Sequence, residues 1–510
     1  MSHQLTEWST HPIFAALRSF SAELQLTQAI WLRLLGLVYF AAFGSLWFQI
    51  TGLIGSRGIS PAAGYLSSMR DVLGVKGFWA VPSLFWFGVS DSALIVVCAV
   101  GCLGGISLIA GWFSRAAAFV CFLLYLSIVV VGQPFTNFQW DALLLEAGFL
   151  ALFAGTPLVA WAYRLLLFRL MFESGVVKLS SHDPNWRNLH ALRFHFMTQP
   201  LPTPVAYYAH QAPGWLLDSC IGVMFVIELA VPFLLFTPRR TRAIGGALLI
   251  FLQLMIAATG NYAFFNLLTI ALCVWAFDDG TFVRRAKLLR TAMRACAVHG
   301  FGSRVPFLRQ FLRTRVYPVR NRFLNIAATA ALSAIMIVGL LQIIGIFRRS
   351  FDFRLEHATR WIAPFEIVNR YGLFAVMTTT RPEVIIEGSN DGQTWREYQF
   401  RYKPGDLHRG LRFVAPYQPR LDWQMWFAAL GSYQENPWAG ALFYRLLSNE
   451  PTITKLLEPP PFSLPPHYLR AVLYDYSFTT PAERARSGNV WQRKLLGTWF
   501  GPVSLRSHSE

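Results

Sequence analysis

The chain has 510 residues, of which 54% are hydrophobic and only 14% charged, and its mean hydropathy is positive. Soluble domains carry about 25% charged residues, so this composition excludes an ordinary soluble protein and indicates a polytopic α-helical membrane protein. The net charge of +18 does not indicate nucleic acid: eleven Lys or Arg and no acid lie between Thr281 and Arg322, flanked by apolar runs, as in a cytoplasmic loop touching anionic lipid.

Stretches long enough to cross a bilayer are predicted near 30–54, 92–111, 115–132, 139–156, 162–179, 216–236, 243–258, 260–277 and 325–346. The polar N-terminus (1–29) has no cleavable-signal pattern, so the first span is expected to act as an uncleaved anchor. Nine spans and the positive-inside rule place the N-terminus and the basic loop 280–324 in the cytoplasm. The membrane domain then runs over 30–347, with loops 55–91 and 180–215 outside, and 348–510 is an extracytoplasmic domain. Arg348 and Arg349 fall on the wrong side in this topology.

The six cysteines (Cys98, Cys102, Cys121, Cys220, Cys273 and Cys296) lie in spans or in the basic loop, and their spacing gives no disulfide framework or zinc motif. The fourth and fifth spans are unusual because they carry charge at bilayer depth, which costs about 2.5–3.5 kcal/mol per group. Asp141 and Lys178 are expected to meet near the outer surface as an ion pair. Glu146 and Glu173 are expected about 7 Å deeper, with Glu228 near the middle of the sixth span. These five outline a polar pocket opening outward: candidate catalytic or ligand-binding groups, or simply pairs that hold helices together.

Beyond 348 the character changes. Glu383–Tyr402 alternates with period two around Asn390-Asp391-Gly392, a hairpin signal, and Tyr468–Phe478 reads as another strand. Asp422–Leu430 and Trp438–Asn449 read as helices, with a proline-rich connector at 459–466. The expectation is a mostly β domain. Trp423, Trp426 and Phe427 are candidates for a partner-binding surface, since exposed aromatics favour interfaces. His182, His190, His195 and His210 share the outer loop 180–215 and are the weak candidates for a metal, although their spacings match no ligand pattern. No P-loop, HExxH, nucleophile elbow or dinucleotide fingerprint occurs, and no cofactor is evident.

A series of blocks resembles the lipase maturation factor family. They are Gly52-Leu-Ile-Gly-Ser-Arg-Gly-Ile-Ser-Pro61, Asn137-Phe-Gln-Trp-Asp-Ala-Leu-Leu-Leu-Glu146, Arg169-Leu-Met-Phe-Glu-Ser-Gly-Val-Val-Lys178 and Thr198-Gln-Pro-Leu-Pro-Thr-Pro204. Gly260-Asn-Tyr-Ala-Phe-Phe-Asn-Leu-Leu-Thr269, Ile367-Val-Asn-Arg-Tyr-Gly-Leu-Phe374 and Arg420-Leu-Asp-Trp-Gln-Met-Trp426 complete the series. The resemblance spans nearly the whole chain. It implies a multi-pass protein of the endoplasmic reticulum membrane in animals, with a lumenal C-terminal domain, that helps secreted lipases fold. At this length the chain is expected to be a bacterial relative in the cytoplasmic membrane, with membrane lipid and an exported client protein as partners.

A fainter resemblance covers Ser174-Gly-Val-Val-Lys178 and Asp183-Pro-Asn-Trp186, which look like a stretch of the vitamin K-dependent carboxylases. It implies a membrane enzyme or a quinone- or lipid-binding protein, with Lys178 as a base. Burial lowers a lysine pKa and makes such a role chemically feasible.

Overall fold

The computed structural model describes residues 24–284 and 321–505. The N-terminal 23 residues, most of the basic loop and Cys296 lie outside the described residues.

Among the described residues, five helices are long and apolar enough to cross a membrane: α1 (Gln25–Trp47), α2 (Asp91–Ala110), α6 with its 3₁₀ extension (Gly214–Phe236), α7 (Arg239–Thr259) and α9 (Arg322–Phe347). Between them come α3 (Ser114–Val129), α4 (Gln139–Ala151), α5 (Val159–Ser180) and α8 (Phe265–Leu272). Every expected span therefore has a helical counterpart, four of them shorter or more charged than a simple membrane helix. Local chemistry sets the ends. The Ser90 hydroxyl accepts the Ala93 N–H to cap α2, and Gly111, at φ +77°, closes it. Pro232 cannot donate to the helical ladder, so α6 ends at Leu229 and continues as 3₁₀ turns.

The bundle packs through small residues. A Cβ on Gly36 would fall 2.7 Å from the Gly105 carbonyl oxygen, so α1 and α2 touch backbone to backbone. The outer face of α2 (Val96, Val100, Leu103, Ile106) is apolar and exposed, as lipid contact demands. Buried α5 differs: Arg164, Arg169, Glu173 and Lys178 all point into protein.

The C-terminal region is built on one antiparallel four-stranded sheet in the order β2-β1-β3-β4, with β1 at Pro382–Ser389, β2 at Arg396–Tyr398, β3 at Tyr468–Phe478 and β4 at Trp491–Val503. The expected hairpin joins β1 and β2. Asp391 Oδ1 accepts the N–H groups of Gln393 and Thr394, and Gly392 supplies the positive φ. Helices α10 (Arg420–Ala429) and α11 (Trp438–Leu447) fall where expected. The region is nevertheless not mostly β. Its strands are outnumbered by helical and irregular segments, because much of the chain between β2 and β3 packs onto the membrane bundle instead of extending the sheet. β4 went unforeseen, since glycines and charged residues break its alternation.

Candidate functional site

Asp141 and Glu146 of α4, Glu173 of α5 and Glu228 of α6 are buried, and the first three are covered by the C-terminal region. Asp141, in the first turn of α4, receives a two-pronged ion pair from Arg420, at the start of α10: Nη1 to Oδ2 at 2.9 Å and Nη2 to Oδ1 at 2.8 Å. The same guanidinium donates to the Phe135 carbonyl (2.6 Å) and the Tyr125 hydroxyl (3.2 Å), and Tyr125 also donates to Asp141. Gln49 of the first membrane segment clamps the same place, accepting the Arg420 N–H and donating to the Gln418 carbonyl. Bidentate Arg–carboxylate geometry of this kind fixes both distance and angle.

One turn along α4, Glu146 pairs with Arg169 of α5 at 2.8 Å, while Glu173 lies 3.5 Å from Arg169 Nε. The segment 367–374 lies across them. Glu146 accepts the Asn369 N–H (2.7 Å) and the Tyr371 hydroxyl (2.8 Å), and Glu173 accepts the Tyr371 N–H (2.9 Å). Arg169 in turn donates to Gln342 of α9 and to the Asn369 carbonyl. Gly339 of α9 makes room: a Cβ there would come within 2.9 Å of Arg169 Nη1. The expected outward-opening pocket is therefore closed by the protein's own groups: the backbone of 369–371 at Glu146 and Glu173, and the Arg420 side chain at Asp141.

The expected Lys178–Asp141 pair does not form. Lys178 Nζ donates to both oxygens of Glu228 (2.9 and 2.8 Å) and to the Ser174 carbonyl (3.2 Å), and it lies 5.5 Å from the Trp186 ring centroid. Depth along a helix was read correctly, but its rotation was not. Gly175 lets Glu228 and Leu229 approach α5 on one side, while Asp141 faces Arg420 on another. With all three ammonium hydrogens engaged, Lys178 has none to offer a cofactor, and acting as a base would require Glu228 to let go.

Further contacts join the two halves. Arg381 donates to the carbonyls of Met197, Gln199 and Pro200 and pairs with Glu383 (2.9 Å), which also pairs with Lys403 (2.9 Å). Asn261 receives the Val414 N–H and donates to the Arg412 carbonyl, and Asp183 accepts the Met377 N–H. Trp423 and Trp426 are buried, contrary to a partner-binding surface. Trp423 packs edge-on to Trp140, and Trp426 Nε1 donates to the Thr198 carbonyl; Phe427 alone of the three is exposed. These rings glue the two halves together.

The four histidines do not converge, and among the described residues no three His, Cys, Asp or Glu come together. His182 contacts Arg187, His190 approaches Asp218, and His210 packs on Phe478. His195 is buried with Nε2 3.1 Å from the Tyr262 hydroxyl, and burial, with the nearby Lys178 charge, pushes its pKa down to about 4. Burial also raises Asp422 to about 6, against the backbone N–H groups of Tyr402 and Lys403 that it accepts.

Sequence reasoning missed Arg420, Tyr371, Asn369 and Arg381 as members of this site. The signal was available in part, because Arg420 and Asn369-Arg-Tyr371 belong to the quoted blocks.

Comparison with known proteins agrees with the blocks. The family model described as the lipase maturation factor transmembrane domain matches residues 26–284, and that of the lipase maturation factor C-terminal domain matches 367–501. "Lipase maturation factor 2" of Gallus gallus is 36% identical, covering 92% of this chain and 80% of its own length. "Lipase maturation factor 2" of Homo sapiens is 35% identical (94% and 83%), and "Lipase maturation factor 1" of Bos taurus 34% (94% and 89%). These vertebrate relatives lend no support to a bacterial source. No solved structure matches.

Proposed function

The chain belongs to the lipase maturation factor family, and from that premise we propose that it is a membrane-anchored factor for the folding and maturation of secreted proteins, lipases first among them. The observation that carries this reading is the closed charged site. Asp141, Glu146 and Glu173 are engaged by Arg420 and by the backbone of 369–371, so intramembrane charge serves to seat the C-terminal region on the bundle. In this proposal nine membrane segments place the N-terminus and the basic loop on the cytoplasmic side. The C-terminal region is extracytoplasmic, or lumenal in an endoplasmic reticulum membrane, where an exported client passes.

The test is to co-express the chain with a secreted lipase in cells lacking their own maturation factor and assay active enzyme in the medium. An increase that depends on the chain is expected. Equal lipase activity with and without it would overturn the reading. A glycosylation tag in the 390–395 turn reports the side: modification is expected, and an unmodified tag on a stable chain would overturn the topology.

A further inference from the structure

The sheet has two unlike edges. β2 is only three residues long, and the ring of Phe462 from the proline-rich connector lies 6.0 Å from Tyr398 at its end. β4 spans thirteen residues, and its outer edge pairs with no strand among the described residues. Hydrogen-bond alternation identifies which groups face outward. The Tyr476 N–H donates to the Arg381 carbonyl on the β1 side, so Arg493, its partner across β3–β4, aims its own N–H and C=O away from β3. By the same parity Leu495, opposite Tyr474, and Thr498, opposite Val472, also present backbone groups to the free edge. Leu496 is the extra residue of a bulge, and Leu495 and Leu496 are 58% and 54% exposed.

We infer that this β4 edge, residues 493–500, beyond the point where the Trp491 N–H donates to the Leu407 carbonyl, takes up an extended segment of the client polypeptide as a fifth strand. An alternating row of unpaired N–H and C=O groups is complementary to one kind of ligand, another strand, with the side chains setting preference. Arg493 is already paired with Glu397 at 2.7 Å, but the edge also carries Lys494 and no acid, which favours an apolar segment that is neutral or acidic. Lys494, with the bulge, disfavours pairing with a second copy of β4, since an edge lysine and an irregular register both oppose edge-to-edge pairing. Pro502 ends the usable edge. The inference rests on the maturation-factor reading and names how its client is held.

Two measurements separate the inference from its premise. A fluorescent ten-residue peptide of alternating valine and threonine with one glutamate, added to the purified chain in detergent, is expected to bind. Leu495→Pro, which removes only an outward N–H, is expected to weaken binding at least tenfold with the unfolding temperature unchanged. A photo-crosslinking residue at Lys494, in cells co-expressing a secreted lipase, is expected to trap the lipase. An absence of peptide binding and of lipase adducts overturns the inference even where the chain raises lipase activity; adducts joining two copies of the chain overturn it in favour of self-pairing. If Leu495→Pro unfolds the protein, the crosslink decides. A wild-type chain that binds the peptide but yields no active lipase overturns the premise and leaves the strand-binding edge standing.

Discussion

Arg420 and Lys178 are both buried cations within 3 Å of a carboxylate, yet they join different things. Lys178 reaches Glu228 on a neighbouring helix of the bundle. Arg420 reaches across 279 positions of sequence to Asp141, with Tyr125, Phe135 and Gln49 converging on the same few ångströms. The first pair holds a helix contact, while the second is the seat of one half of the molecule on the other. Identical chemistry thus has different consequences, decided by what else depends on the geometry.

The largest expected effect follows from breaking the Arg420 seat. Arg420→Met leaves Asp141 buried without its partner, a loss of about 3–5 kcal/mol for a broken buried pair. Thermal unfolding in detergent, with proteolysis of the C-terminal region as a second readout, should show a large drop. Adding Asp141→Leu removes the stranded charge and should recover a good part of it. A single variant as stable as wild type would mean that Arg420 does not seat the region.

Lys178→Met should be milder, about 3 kcal/mol, the low end of the cost of breaking a buried pair, because this pair joins only two helices of the bundle. Lys178→Met with Glu228→Gln should restore most of the stability and support lipase maturation as wild type does. If that double variant is stable but inactive, Lys178 has a chemical role after all and the carboxylase-like stretch regains its interest.

The contrast also explains what could be read from sequence. Helix positions followed from apolar length, and β1, β3 and the Asn390-Asp391-Gly392 turn from period-two alternation and turn chemistry. That Asp141, Glu146 and Glu173 needed partners followed from the cost of charge in lipid. Who the partners are did not, because hydropathy gives depth along a helix but not its rotation, and so Asp141 was matched to Lys178. The partners that matter most, Arg420 and the backbone of 369–371, lie between 198 and 279 residues away. A peptide N–H carries no sequence signal. Trp423 and Trp426 misled for a related reason: aromatic residues at an interface look alike whether the interface is with a client or with the chain's own membrane half.

The smallest expected effect separates the two halves by pH. His195, on the loop that the C-terminal region covers, is held neutral with its pKa lowered from 6.5 to about 4. Its contribution to stability is complete above pH 6.5 and is lost as pH falls toward 4, since the unfolded chain binds the proton more readily. Asp422, inside the C-terminal half, runs the other way. Raised from 3.8 to about 6, it holds a proton in the folded state that the unfolded chain releases, so its contribution is lost as pH rises through that window. The two slopes oppose each other in the wild type and should partly cancel between pH 4 and 6. Variants uncover them: relative to wild type, His195→Gln should tilt the unfolding temperature toward falling with pH, and Asp422→Asn toward rising. Tilts of the same sign in both variants would show that one of these two groups is not buried as the fold places it.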